Sequence, residues 1–196
     1  MDRCQLLRTV TILLLGVALA APTGRAVALA AAPDRSAAAQ VEVEDLLDRA
    51  IERAERGDRQ GALEDLAVVL RINPNYAEAY AARGNIRADM GDDRGALDDF
   101  TQALRLDPNN ADAYNERGVV RVRLGDDQGA LDDFTQALRL NPSQAEAYHN
   151  RALIRLGQGD NTGAVADLQR ALQLFTAQGD TEQVRELQDL IRTLGQ

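Results

Sequence analysis

Four times along the chain, two arginines stand four residues apart and an aspartate follows twelve residues after the second. The sets are Arg49, Arg53 and Asp65; Arg83, Arg87 and Asp99; Arg117, Arg121 and Asp133; Arg151, Arg155 and Asp167. A planar guanidinium bonds a carboxylate through two nitrogens at once, while its aliphatic stem packs against apolar neighbours. Two chemistries fit this spacing: ion pairs between two helices, or an arginine stripe that binds an anionic ligand. Ion pairing is the preferred reading, because every set carries both halves.

Other reactive residues are scarce. The chain has one Cys (Cys4), one His (His149) and two Ser (Ser36 and Ser143), too few for a nucleophile held beside an oriented base. One His and one Cys do not make a zinc site, and no glycine-rich phosphate loop follows a strand pattern. No cofactor, metal or catalytic residue is therefore expected. All 22 basic residues are arginine, set against 31 acidic ones, for a net charge of −9. An acidic chain with 4% aromatics and no Trp lacks both the cationic face and the stacking platforms of a nucleic-acid binder.

The elements that hold these residues repeat. "GALDDFTQALRL" occurs at Gly95 to Leu106 and again at Gly129 to Leu140, an offset of 34 residues. Carried along the chain, that offset gives units at 43–76, 77–110, 111–144 and 145–178 without a gap. Each has Gly-Asp at its midpoint (Gly57-Asp58, Gly91-Asp92, Gly125-Asp126, Gly159-Asp160) and then Gly-Ala (from Gly61, Gly95, Gly129 and Gly163). Three end in Asn-Pro or Asp-Pro; the fourth has Phe175-Thr176. Ala96, Leu97, Phe100, Ala103 and Leu104 recur at helical spacing, so each unit reads as two helices, with the arginines on the first and the aspartate on the second. Gly84, Gly118, Ala50 and Ala152 leave room for the facing helix. A last stripe of Val184, Leu187, Leu190, Ile191 and Leu194 predicts a capping helix within 179–196, with Thr181 as its N-cap.

This pattern resembles the tetratricopeptide repeat, through Tyr114, Gly118, Ala130, Phe134, Ala137 and Pro142 and their counterparts. The resemblance implies an all-α fold: a right-handed α-solenoid of four helix-turn-helix units plus the capping helix, with atypical terminal units. It also implies a concave groove lined by the first helices. Those positions are Leu47, Ile51, Asn85, Ala88, Asp89, Asn115, Val119, Val122, Arg123, His149, Leu153 and Leu156. Asn85, Asn115, Val119, Arg123, His149 and Leu153 are the expected partner-binding residues, with the two amides able to donate and accept along a peptide backbone. Relatives that grip a carboxyl terminus use groove lysines, which this chain lacks, so that clamp does not carry over.

Residues 1–30 read as a signal peptide. Arg3 and Arg8 precede the apolar run "VTILLLGVALAA", and small-x-small sites follow at Ala18-Leu19-Ala20 and Ala28-Leu29-Ala30. An uncleaved anchor is the alternative, and the only expected membrane contact; the run is shorter than a spanning helix needs. Residues 31–42 read as a flexible leader. Cleavage removes Cys4 and leaves 19 arginines against 30 acids after residue 32. The expected product is an exported, non-enzymatic scaffold that binds a protein or peptide. The run "RGVVRVRLGDDQGALDDFTQALRLNP" resembles repeats common in photosynthetic bacteria, which implies the periplasm, the thylakoid lumen or secretion, and a role in assembling complexes. A self-assembling envelope protein is the alternative.

Overall fold

The computed structural model describes residues 35–194, and every regular element within them is a helix. Four hairpins follow one another: α1 (Arg35–Glu55) with α2 (Arg59–Ile72), α3 (Ala77–Asp89) with α4 (Asp93–Leu106), α5 (Ala111–Arg123) with α6 (Asp127–Leu140), and α7 (Ala145–Gly157) with α8 (Asn161–Gln178). A ninth helix, α9 (Thr181–Leu194), stands last. The expected signal peptide lies outside the described residues. The expected leader needs correction from residue 35 onward, because α1 begins at Arg35. Ala37 to Ala39 are strong helix formers, and the Gln40 amide donates to Glu44 one turn on at 2.9 Å.

The midpoint Gly-Asp and the following Gly-Ala work as one turn. Gly57, Gly91, Gly125 and Gly159 have φ of 80–86°, a left-handed backbone that ends the first helix and that side chains disfavour. The next aspartate caps the second helix, accepting from the N–H three residues on; Asp92 accepts from Gly95 at 3.0 Å. That carboxylate fills the space a side chain would need, since a Cβ on Gly95 would lie 2.1 Å from Asp92 Oδ2. Helices α2, α4 and α6 end at an extended Asn or Asp ahead of proline. Without that proline α8 runs on to Gln178 and is closed by Gly179. Asp180, rather than the expected Thr181, caps α9: its carboxylate accepts from the Gln183 N–H at 3.1 Å.

Within each hairpin a small residue faces a large one. A Cβ on Gly84 would stand 3.0 Å from the Phe100 ring, and one on Gly118 would stand 2.7 Å from Phe134. The outer two hairpins have Ala50 with Leu66 and Ala152 with Leu168 at the same register, all fully buried. Glycine accompanies the bulky ring, and alanine the smaller leucine. Between hairpins, α1 touches α3, α3 touches α5 and α5 touches α7, whereas no even-numbered helix touches another among the described residues. The odd helices therefore line the tighter, inner side of the stack. Leu187 of α9 is fully buried against the last hairpin, where Leu168, Ala171 and Phe175 meet it.

The arginine sets cross each hairpin. Arg83 grips Asp99 with two parallel bonds, Nε to Oδ2 at 2.9 Å and Nη2 to Oδ1 at 2.6 Å. Arg87 adds Nη1 to Oδ2 at 2.7 Å and also donates to the Gly95 carbonyl at 3.3 Å. The other three units repeat the arrangement at Asp65, Asp133 and Asp167. Arg83, Arg117 and Arg151 also lie over Tyr80, Tyr114 and Tyr148, at 5.4–5.7 Å from the ring centres. Stacking shields the ladder: Arg49 in the first unit is 53% exposed, whereas Arg117 and Arg151 are 13% and 14% exposed. These last two reach back to Thr101 and Thr135 of the preceding unit. The hydrogen bond from Arg49 holds the Asp65 carboxyl below the usual aspartate range. Its stabilising contribution is present above the unfolded aspartate value and fades as pH falls through the lowered folded one.

Two substitutions test this packing. Asp99→Ala leaves two guanidinium groups facing an emptied site, so it is expected to cost about 3 kcal/mol in denaturant unfolding, with Arg87→Ala costing less. An unchanged melt for both would contradict a structural ladder. Gly118→Ala is expected to destabilise by about 1–2 kcal/mol despite alanine's better helix propensity. Adding Phe134→Leu, which reproduces the pairing of the fourth unit, is expected to recover most of that loss in the same assay.

Candidate functional site

Among the described residues, hollows open on the inner wall between α1 and α3 and between α5 and α7. The first has a volume of about 330 Å³, and Ile51 and Asn85 line it together with Glu55, Glu78 and Ala81. The α5/α7 hollow has a volume of about 360 Å³. Its apolar walls are Val119, Val122, Leu153 and Ile154 over the edge of Phe134, and its polar rim is Arg123, Asp127 and Asn150, with Gly157 at one end. Large apolar side chains remain open here: Val122 is 41% exposed and Leu153 is 48% exposed.

The expected partner-binding residues thus divide. Val119, Arg123 and Leu153 share the α5/α7 hollow, while exposed Asn85 belongs to the α1/α3 hollow. Asn115 requires a correction, because it is buried at 5% exposure. It donates to Glu116 Oε1 at 3.1 Å and accepts from Asn150 at 3.4 Å, so its amide ties α5 to α7 and does not face a ligand. Leu47 is likewise core, at 3% exposure, and Leu156 packs against the C-terminal cluster. His149 occupies the register of Asn115 one unit on; it is half-buried and is not among the residues lining the hollow.

Asn150, Asp127 and Gly157 escaped the sequence reading. Their signal lies in a comparison of equivalent positions across units. The last residue or so of each odd helix faces the start of the preceding even helix. There Asp89 stands 3.9 Å from Arg59, and Arg123 Nε bonds Asp93 Oδ1 at 2.7 Å. At the third junction the equivalents are Gly157 and Asp127. No side chain reaches across, and the α5/α7 hollow opens at that point.

Electrostatically the wall is acidic. Glu116 is partly buried, and this burial pushes its carboxyl above the usual glutamate range; Asp112 and Asp89 push the same way, against the Asn115 bond and Arg123. A raised folded value means that its favourable contribution is complete below the unfolded glutamate range and is lost as pH rises through the folded value.

A stack of helical hairpins with an open inner wall defines a helical-repeat protein. Family models described as TPR repeat match residues 84–125 and 120–159, and one described as tetratricopeptide repeat matches residues 145–177. The chain is a tetratricopeptide-repeat protein. It is similar to the crystal structure of MamA, at 25% identity over 70% of this chain and 81% of that one, with a TM-score of 0.65. It shares its fold with YrrB, described as a TPR protein with an unusual peptide-binding site, at 20% identity over 82% and 90% of the two chains and a TM-score of 0.62. The first TPR of Spaghetti (RPAP3), bound to an HSP90 peptide, aligns at 27% identity over 61% and 94%, with a TM-score of 0.55. No curated protein matches the sequence.

Because ionised Glu116 costs stability, Glu116→Gln is expected to raise the melting temperature by a few degrees at neutral pH. The gain should shrink to nothing as pH falls below the glutamate range. Thermal melts of both proteins across pH check this; a pH-independent difference would contradict it.

Proposed function

We propose that this chain is an exported, non-enzymatic scaffold that holds an extended segment of a partner protein along the inner wall of its odd helices. The observation that carries the reading is the wall itself. Val122 and Leu153 stay open over a formed hollow, although the same hairpins bury Phe134 and Val120 almost completely. Apolar surface left open in a shaped cleft favours a ligand that covers it. YrrB and the TPR of Spaghetti, which share the fold, are described respectively with a peptide-binding site and with a bound peptide. Export rests on the sequence of residues 1–30, and assembly of complexes in the periplasm or thylakoid lumen is the role that fits it.

Self-assembly is the second reading, favoured by the first unit's open end. There Val41 is 57% exposed beside a hollow that Leu46 and Arg49 also line.

Crosslinked capture from the exported fraction tests the reading, using the full chain and a Val122→Asp/Leu153→Asp variant. The wild type is expected to recover a partner that the equally stable variant does not, and its N-terminus is expected near Ala31. Equal recovery by both would remove the inner wall as the site. A chain confined to the cytosol with Met1 retained would remove export. Light scattering showing large assemblies of the purified chain would favour the second reading.

A further inference from the structure

We propose that the α5/α7 hollow selects a partner segment in which a large apolar side chain is closely followed or preceded by an arginine or lysine. The inference rests on the inner-wall reading above and adds the chemistry of the bound segment.

The apolar half follows from the walls. Val119, Val122 and Leu153 close around a space of about 360 Å³, at the low end for a ligand site and sufficient for one large side chain with part of its neighbour. The basic half follows from Asp127. At the preceding junction the equivalent carboxylate, Asp93, is held by Arg123 at 2.7 Å. At this junction Gly157 replaces the arginine, and Asp127 forms no ion pair among the described residues. The hollow therefore presents a carboxylate at its rim where its neighbour presents a neutralised pair. A cation brought by the ligand would fill the position that Arg123 fills one unit earlier. Arg123 itself is engaged by Asp93, so it does not offset this preference, and Glu116 and Asp112 add negative charge along the same wall.

Gly157 supplies the sharpest variant. It ends α7 at an ordinary backbone geometry, and a Cβ there meets nothing within 4 Å. Gly157→Arg is thus expected to fold, to pair with Asp127 and to close the hollow.

The test pans a phage-displayed library of random twelve-residue peptides on the full chain. It then measures the affinity of an enriched peptide by fluorescence anisotropy. Apolar residues paired with arginine or lysine are expected among the enriched sequences. Binding is expected to weaken about tenfold with Asp127→Asn and to disappear with Gly157→Arg, whose melting temperature stays at or above that of the wild type. Peptides that lose affinity with Leu153→Asp but show no basic preference, and bind Asp127→Asn as they bind the wild type, would overturn this inference and leave the scaffold reading standing. Enrichment of acidic peptides would overturn it in the same way. A library that yields no binder would overturn both.

Discussion

The helices of each hairpin must come close enough for a phenylalanine or leucine to lie against a glycine or alanine, and the rest of the structure depends on that approach. Gly84 and Gly118 have no side chain where the rings of Phe100 and Phe134 lie. The same proximity lets arginines on one helix reach an aspartate on the next with two parallel bonds, so apolar contact and ion pairing act at one interface. A unit of this size still cannot cover its own apolar surface, and it gains a core only by resting on its neighbours. The decline in arginine exposure from the first unit to the third shows this dependence directly, because each later ladder is shielded by the unit before it, onto which Arg117 and Arg151 reach back.

The way the hairpins stack also shapes the wall on which a partner is proposed to lie. Helices α3, α5 and α7 each rest on the even helix before them and also touch the preceding odd helix, whereas no even helix touches another among the described residues. The inner wall is consequently continuous, and its detail is set by the side chains that bridge successive units. At the α3/α5 junction the Arg123–Asp93 pair spans the wall, whereas at the α5/α7 junction glycine stands in the arginine's place and the hollow has the unpaired Asp127 carboxylate at its rim. The proposed binding site thus arises from a gap in a repeated structural contact, with no added element.

Much of this was legible in the sequence. The period, the turn residues, the small-against-large pairs and the Arg–Asp spacing all follow from contacts made inside one unit, which a single unit's sequence can express. Contacts between units were harder to read. Asn115 looked like a free groove amide, yet it is buried because Asn150 of the following unit meets it. Asp127 drew no reading from the sequence, and its isolation appears only when Gly157 is compared with Arg123. The start of α1 was missed because the small residues that suggest a loose leader are also good helix formers.

Methyl NMR of the full chain, titrated with a bound partner segment, tests the account most directly. The methyl resonances of Val119, Val122 and Leu153 are predicted to shift together, while those of Ile72 and Val41, which lie away from the inner wall's hollows, stay in place. Shifts concentrated at Ile72 or Val41, with the α5/α7 methyls unmoved, would contradict it.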